Sequence, residues 1–109
     1  MAKLIVNRKK LLPGCFMHLH ILVEGKIVLS LKNGGSGECE VPDEPAHVRC
    51  SLTLGRASNV YLVDFSAQPE VHVTAWANTR FPVLDFADAQ GEPLRVEQEV
   101  SDRLPDFLY

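Results

Sequence analysis

The chain has 109 residues, of which 46% are hydrophobic, and its formal net charge is −3. A chain of this length builds one hydrophobic core, so we expect a single β-sandwich domain over 1–100 and a C-terminal tail over 101–109. The acidic balance argues against nucleic acid as a partner, because phosphate contacts supply most non-specific affinity. The sequence also has no apolar run near the roughly 18 residues that a membrane span needs.

The N-terminal residues and the cysteines bear on the compartment. The first residues lack the apolar stretch of about 7–15 residues that a signal peptide carries. We therefore expect a cytoplasmic protein as the chain is written, or an exported one if a leader has been removed. Cys15, Cys39 and Cys50 lack metal-site spacing and are expected to be buried thiols, with a Cys39–Cys50 disulfide as the alternative in an exported protein. The short basic cluster at 8–10 is expected to lie in a solvated loop.

Apolar and polar residues alternate along most of the chain, and a period of two is typical of strands. The predicted strands of the first half are 3–8, 15–23, 26–32 and 38–41. Glu24 and Gly25 separate two of them, which predicts a tight hairpin. The odd-numbered residues of 15–31, including Ile27, are expected to face the core.

The second half continues the same pattern. In 46–54 the even-numbered residues are expected to face the core, while the polar residues His47, Arg49 and Ser51 face water. The remaining predicted strands are 60–66, 71–77 and 81–87, and Pro82 marks the last of these as an edge strand. The stretch 94–100 is predicted as a final strand, with a short C-terminal helix through Val96, Val100 and Leu104 as the alternative. Seven to nine short strands predict an all-β antiparallel sandwich or small barrel.

Two histidines, His18 and His20, share a strand face two residues apart, a spacing that can chelate a metal. The sequence resembles the two motifs of the cupin family in the order of seven residues along the chain. These residues are Gly14, His18, His20, Glu24, Gly37, Pro42 and His47. That resemblance implies a divalent transition metal held by His18, His20, Glu24 and His47. The alternative interpretation is a half-exposed sheet face on which the histidines bond to water or to neighbouring side chains.

A second candidate site is the face of 71–77 that carries His72, Thr74 and Trp76. Such a row could bind a sugar or a peptide by stacking on the aromatic ring. The alternative is that Trp76 covers part of a second sheet or a terminal segment.

A longer resemblance covers about residues 16–54. Its residues are Val23-Glu24-Gly25-Lys26, Leu31-Lys32-Asn33-Gly34 and Val41-Pro42-Asp43-Glu44-Pro45-Ala46-His47-Val48. This run is similar to the PEGA-type domains, which are small bacterial immunoglobulin-like β-sandwiches. The resemblance implies an immunoglobulin-like fold and a non-catalytic module.

Together these patterns predict a non-enzymatic binding or scaffold module that acts through sheet faces or an edge strand. The expected partner is a protein or a second copy of the chain, with 81–86 as the first edge to consider. The terminal Phe107-Leu108-Tyr109 is expected to dock on the chain itself or on a partner. The second hypothesis is a cupin-like metal-binding protein or small metalloenzyme that uses His18, His20 and His47.

Overall fold

Two β-sheets make up the part of the chain that the structure, a computed structural model, describes: residues 1–10, 17–52, 57–77 and 82–99. The strands are β1 (Ala2–Arg8), β2 (Leu19–Val23), β3 (Lys26–Leu31), β4 (Ser36–Val41), β5 (Pro45–Leu52), β6 (Val60–Asp64), β7 (Glu70–Ala77), β8 (Pro82–Ala87) and β9 (Glu97–Glu99). They form a four-stranded sheet in the order β4-β1-β7-β8 and a five-stranded sheet in the order β3-β2-β5-β6-β9. Side chains from both sheets form one apolar cluster between them, so the predicted β-sandwich is confirmed.

The strand directions are antiparallel in six of the seven pairings that the described residues form. The exception is the parallel pairing of β1 with β7, in which Leu4 lies opposite Val71 and Val6 opposite Val73. The N-terminal strand therefore lies inside its sheet, between β4 and β7, and its ladder on both sides is complete.

Strict alternation places β7 in the sandwich as predicted. Its inward side chains Val71, Val73, Ala75 and Ala77 are all buried, whereas His72, Thr74 and Trp76 are half-buried on the outer face. Because successive side chains point to opposite faces of a sheet, one row fills the core and the other faces outward.

The predicted hairpin at Glu24 and Gly25 is confirmed. Both residues have positive φ, 51° and 78°, which is the backbone of a type I′ turn. Glycine adopts this conformation without strain, and Glu24 adopts it with a side-chain contact described below.

The prediction that Ile27 faces the core is wrong. Ile21 pairs with Leu29 but Leu22 pairs with Ile27, so β3 carries one extra residue, Val28, at a β-bulge. The bulge reverses the facing of the residues before it, and Ile27 is left 53% exposed.

Arg49 and Ser51 were expected to face water, and both are buried. The segment just before β6 runs beside them: Ala57 bridges to Ser51, and Arg49 Nη2 donates to the Ser58 carbonyl at 2.8 Å. Two further bonds tie Ser58 to Cys50, from Ser58 N to the Cys50 carbonyl and from Cys50 N to Ser58 Oγ. Sequence alternation cannot reveal that this outer face has a covering segment.

Arg8 was predicted both to end the strand 3–8 and, with Lys9 and Lys10, to lie in a solvated loop, and the second prediction is wrong for Arg8. It ends β1 and is only 4% exposed. Its Nη1 donates to the carbonyls of Leu31, the last residue of β3, and of Met17, two residues before β2, both at 2.7 Å. Arg8 thus joins the two sheets at one end of the sandwich.

The described cysteines, Cys39 and Cys50, are free thiols on different sheets, so the alternative of a Cys39–Cys50 disulfide is wrong. Burial raises the pKa of Cys50 to about 12, and it also raises the pKa of Cys39. Both thiols are therefore poor nucleophiles near neutral pH. Cys15 lies outside the described residues.

The final predicted strand is confirmed as β9, which is shorter than expected and pairs with β6. The alternative helix included Val100 and Leu104, which lie outside the described residues, as do Phe81 and 101–109. Over the ranges that the structure describes, no helix is long and apolar enough to cross a membrane.

Candidate interaction surfaces

The predicted binding row on β7 lies in the middle of the outer face of the four-stranded sheet. Lys9 Nζ lies 4.4 Å from the centroid of the Trp76 ring, which places a cation over one face of the indole. His72 Nε2 lies 3.3 Å from Glu70 Oε2, and Thr74 stands between Asn7 and Asp85 on the neighbouring strands. Lys9 therefore already covers one stacking face of Trp76, and the binding of a sugar or peptide by this row stays a prediction.

Carboxylates dominate this outer face. The strand register places Glu40 beside Lys3 and Glu38 beside Ile5, and it places Glu70 on the other side of Lys3. Lys3 Nζ and Glu38 Oε1 are 3.9 Å apart, a long and exposed pair that contributes little to stability. The acidic residues of the face are Glu38, Glu40, Glu70 and Asp85. The cations of the same face are Lys3 and Lys9. Because the carboxylates outnumber these cations, the face attracts positive charge.

One edge of this sheet, β4, is regular along all of its length. Arg8 N donates to the Gly35 carbonyl, on the side of β4. Lys3 N and Lys9 N donate instead to the carbonyls of Pro69 and Ala75, on the side of β7. Even-numbered residues of β1 therefore bond to β4, and the outward backbone groups of β4 belong to Ser36, Glu38 and Glu40. Among the described strands, β4 pairs with β1 alone.

The other three edges are shorter or interrupted. On β8, which is an edge as predicted, the Phe86 carbonyl accepts from Leu94 N, and Pro82 supplies no backbone donor. The bulge at Val28 interrupts β3, and β9 covers three of the described residues, Glu97–Glu99. Of the described edges, β4 has the longest uninterrupted row of outward backbone groups.

The predicted metal residues form two separate pairs on the outer face of the five-stranded sheet. Glu24 Oε1 accepts from His47 N at 2.6 Å and lies 2.9 Å from His47 Nδ1. Farther along the sheet, His20 Nδ1 lies 2.7 Å from Ser30 Oγ, and His20 pairs with Ser51. Since Ser51 is four residues from His47 on β5, roughly 13 Å separates the two histidine positions.

His18 and His20 therefore lie near each other, but His47 belongs to the hairpin corner with Glu24. Within 1–10, 17–52, 57–77 and 82–99 no three His, Cys, Asp or Glu side chains are grouped to hold a metal ion. Gly14 of the cupin-like motif lies outside those ranges. The metal interpretation stays a prediction.

Elemental analysis of protein purified without a histidine tag tests that prediction. A stoichiometric transition metal that disappears in a His18→Ala/His20→Ala variant would support the cupin-like hypothesis. His18 and His20 lie apart from His47 and Glu24. We therefore expect the purified protein to contain less than one metal ion per chain, or to contain the same amount of metal after this substitution. The His72→Ala variant, altered on the other sheet, serves as the matched control.

The His20 side chain makes the stability of the fold depend on pH. Burial, and then the neighbouring His18, lower the pKa of His20 from its ordinary value of 6.5. Between the folded and unfolded pKa values the unfolded chain binds more protons, so stability falls as the pH drops below 6.5 through the folded pKa.

We expect a His20→Gln variant to lose less stability than the native chain between about pH 7.5 and about pH 5 in urea unfolding. His18→Gln should remove a smaller part of the dependence, because His18 is the second of the two causes. An unchanged pH dependence in His20→Gln would contradict this assignment.

Comparison of the chain with protein-family models, with curated proteins and with solved structures finds no match. The similarity to PEGA-type domains and the cupin-like motifs therefore rest on the residues quoted above.

Sequence reasoning did not single out the edge formed by β4. The signal was present, since Glu38-Cys39-Glu40 alternates charge with an apolar side chain between a glycine and Pro42. Charged residues on a short strand are typical of edges, because they discourage unwanted pairing. The predicted docking residues Phe107, Leu108 and Tyr109 lie outside the described part of the chain.

Proposed function

We propose that the protein is a non-enzymatic binding module, of the immunoglobulin-like kind, that takes up an extended segment of a protein partner along β4. The observation that carries the proposal is the row of outward backbone groups at Ser36, Glu38 and Glu40, which no described strand pairs. An added strand satisfies such groups by extending the ladder, and its side chains supply the specificity.

Two of the described groups that could act in catalysis lie in unfavourable surroundings, which supports a binding role over a catalytic one. The Cys50 thiol is buried and its pKa is raised to about 12, and the Glu24–His47 pair lies on an exposed hairpin corner. The four-stranded sheet supplies a rigid support for β4, because β1 inside it is paired on both sides.

The test uses the ¹⁵N-labelled full chain and two capped octapeptides, one alternating threonine with valine and one alternating lysine with valine. We expect at least one peptide to shift the amide resonances of Ser36, Glu38 and Glu40 saturably, with smaller effects on β8. Glu38→Pro should abolish binding, because proline removes an outward donor from β4.

The matched control is Glu38→Gln, which removes the same charge but keeps the backbone donor. Both variants should unfold cooperatively, since the position 38 amide lies outside the β1 ladder. If both peptides leave the β4 amides unmoved, or if they bind Glu38→Pro as tightly as the native chain, the proposed function is wrong.

A further inference from the structure

The side of the sandwich where β3 and β4 lie as the outermost strands carries an apolar row that is only partly covered. Val28, Leu29 and Cys39 pack against the core while remaining half-exposed. We call Val28, Leu29, Gly37 and Cys39 the β3–β4 seam. Ile27, which is 53% exposed, pairs with Leu22 beyond the bulge and lies on the outer face of the five-stranded sheet, so it is not part of the seam.

Gly37 brings the two sheets close together at the seam. A Cβ atom at position 37 would lie 3.2 Å from Leu29 Cδ2 and 3.3 Å from Leu31 Cδ2. The leucines of β3 therefore reach directly to the backbone of β4. A side chain entering beside Gly37 or Cys39 would meet hydrocarbon from both sheets.

The opposite face of β4 has the reverse character. Glu38 and Glu40 are exposed, and Glu70 lies beyond Lys3 on the same outer face. Lys3 lies between Glu40 and Glu70, and the neighbouring pair on this face joins Ile5 to Glu38. These cross-strand pairs therefore contain three carboxylates and one cation. Excess negative charge at a sheet edge favours a cation directly opposite it on the next strand.

We propose that the segment received by β4 alternates lysine or arginine with apolar residues. This inference rests on the proposed function and names its partner class. Successive side chains of an added strand point to opposite faces. The basic residues then lie beside Glu38 and Glu40, and the apolar residues cover the β3–β4 seam.

A second copy of the chain fits this edge poorly. Antiparallel pairing of β4 with itself sets the row of Glu38 and Glu40 against the same row of the other copy. Like charges opposite each other on paired strands are destabilising. The glutamates thus disfavour a second copy and favour the basic segment.

The experiment compares three capped octapeptides on the ¹⁵N-labelled full chain, in which valine alternates with lysine, with threonine or with glutamate. We expect the lysine peptide to bind most tightly and the glutamate peptide most weakly, with shifts at Ser36, Glu38, Glu40 and the seam. Glu38→Gln/Glu40→Gln should weaken the lysine peptide by roughly 2- to 30-fold, as two opposite-charge pairs predict. Added salt should weaken this peptide selectively.

Asp85→Asn is the matched control, because Asp85 lies on the same outer face but three strands away, at roughly 14 Å. It should leave the affinity of the lysine peptide unchanged. Equal binding of the threonine and lysine peptides would overturn the basic partner class while leaving strand addition in place. Failure of every peptide to move the β4 amides would overturn both, and concentration-dependent dimers with shifts at β4 would show that the occupant is a second copy.

Discussion

Replacing Phe65 with alanine should lower the free energy of unfolding by about 3–5 kcal/mol, because the substitution removes a ring from the closed interior and leaves a cavity. Phe65 is 1% exposed and heads the fully buried side chains of the described residues by volume. It follows β6 directly, and its ring joins the apolar cluster between the sheets. A domain of this size has about 5–15 kcal/mol of total stability, so the loss is a large fraction of it.

Urea unfolding followed by circular dichroism measures the change for Phe65. Phe65→Leu is the matched variant, since it keeps an apolar side chain and leaves a smaller void, and it should lose about 1–2 kcal/mol. If Phe65→Ala loses no more than Phe65→Leu, then Phe65 is not the core residue that its burial indicates.

Replacing Arg8 with methionine should lower the free energy of unfolding by about 2–3 kcal/mol. Methionine keeps the aliphatic stem but gives no donor to the carbonyls of Met17 and Leu31, which Arg8 Nη1 reaches at 2.7 Å each. These bonds carry a charged donor and run between the two sheets, which makes them stronger than neutral pairs.

The control for Arg8 is Arg95→Met, because Arg95 is exposed and should change the stability by less than about 0.5 kcal/mol. Arg8→Lys should fall between the two, since an ammonium keeps the charge without the planar fork of the guanidinium. Parallel urea titrations compare the variants. Equal stability of Arg8→Met and Arg95→Met would show that the contacts of Arg8 do not hold the sheets together.

Local patterns predicted the features of this fold that depend on neighbours along the chain. The alternation from Val71 to Ala77 identified both faces of β7, and Glu24-Gly25 identified the hairpin turn between β2 and β3. Both depend on rules of short range, the period of a strand and the positive φ that a type I′ turn requires.

The misplaced residues depend on partners that are distant along the chain. Ile27 turned outward because β3 contains an additional residue at Val28, which no repeating pattern announces. Arg49 is buried against the segment that holds Ser58, and Arg8 against the backbone at Met17 and at Leu31 of β3. Polar side chains were assigned to water because their specific acceptors could not be seen from composition.

The sequence predicted that the candidate site is an edge strand, but it did not predict which strand. The sequence indicated an edge strand and named 81–86, where Pro82 was the visible mark. Which edges remain unpaired depends on the order of all the strands, and Leu94 reaches the edge of β8 while β4 keeps its outward groups. Edge accessibility is a property of the assembled sheets, so a strand-by-strand interpretation could not select β4.

The parallel contact between β1 and β7 has a consequence for how the protein is made. During synthesis the residues of β1 leave the ribosome before those of β7, and about 60 residues of chain separate these two paired strands. Loop closure over that distance is slow, and the waiting segment can find wrong partners meanwhile. Deleting β1 would separate β4 from β7 and β8, so shortened versions of the chain should keep Ala2–Arg8.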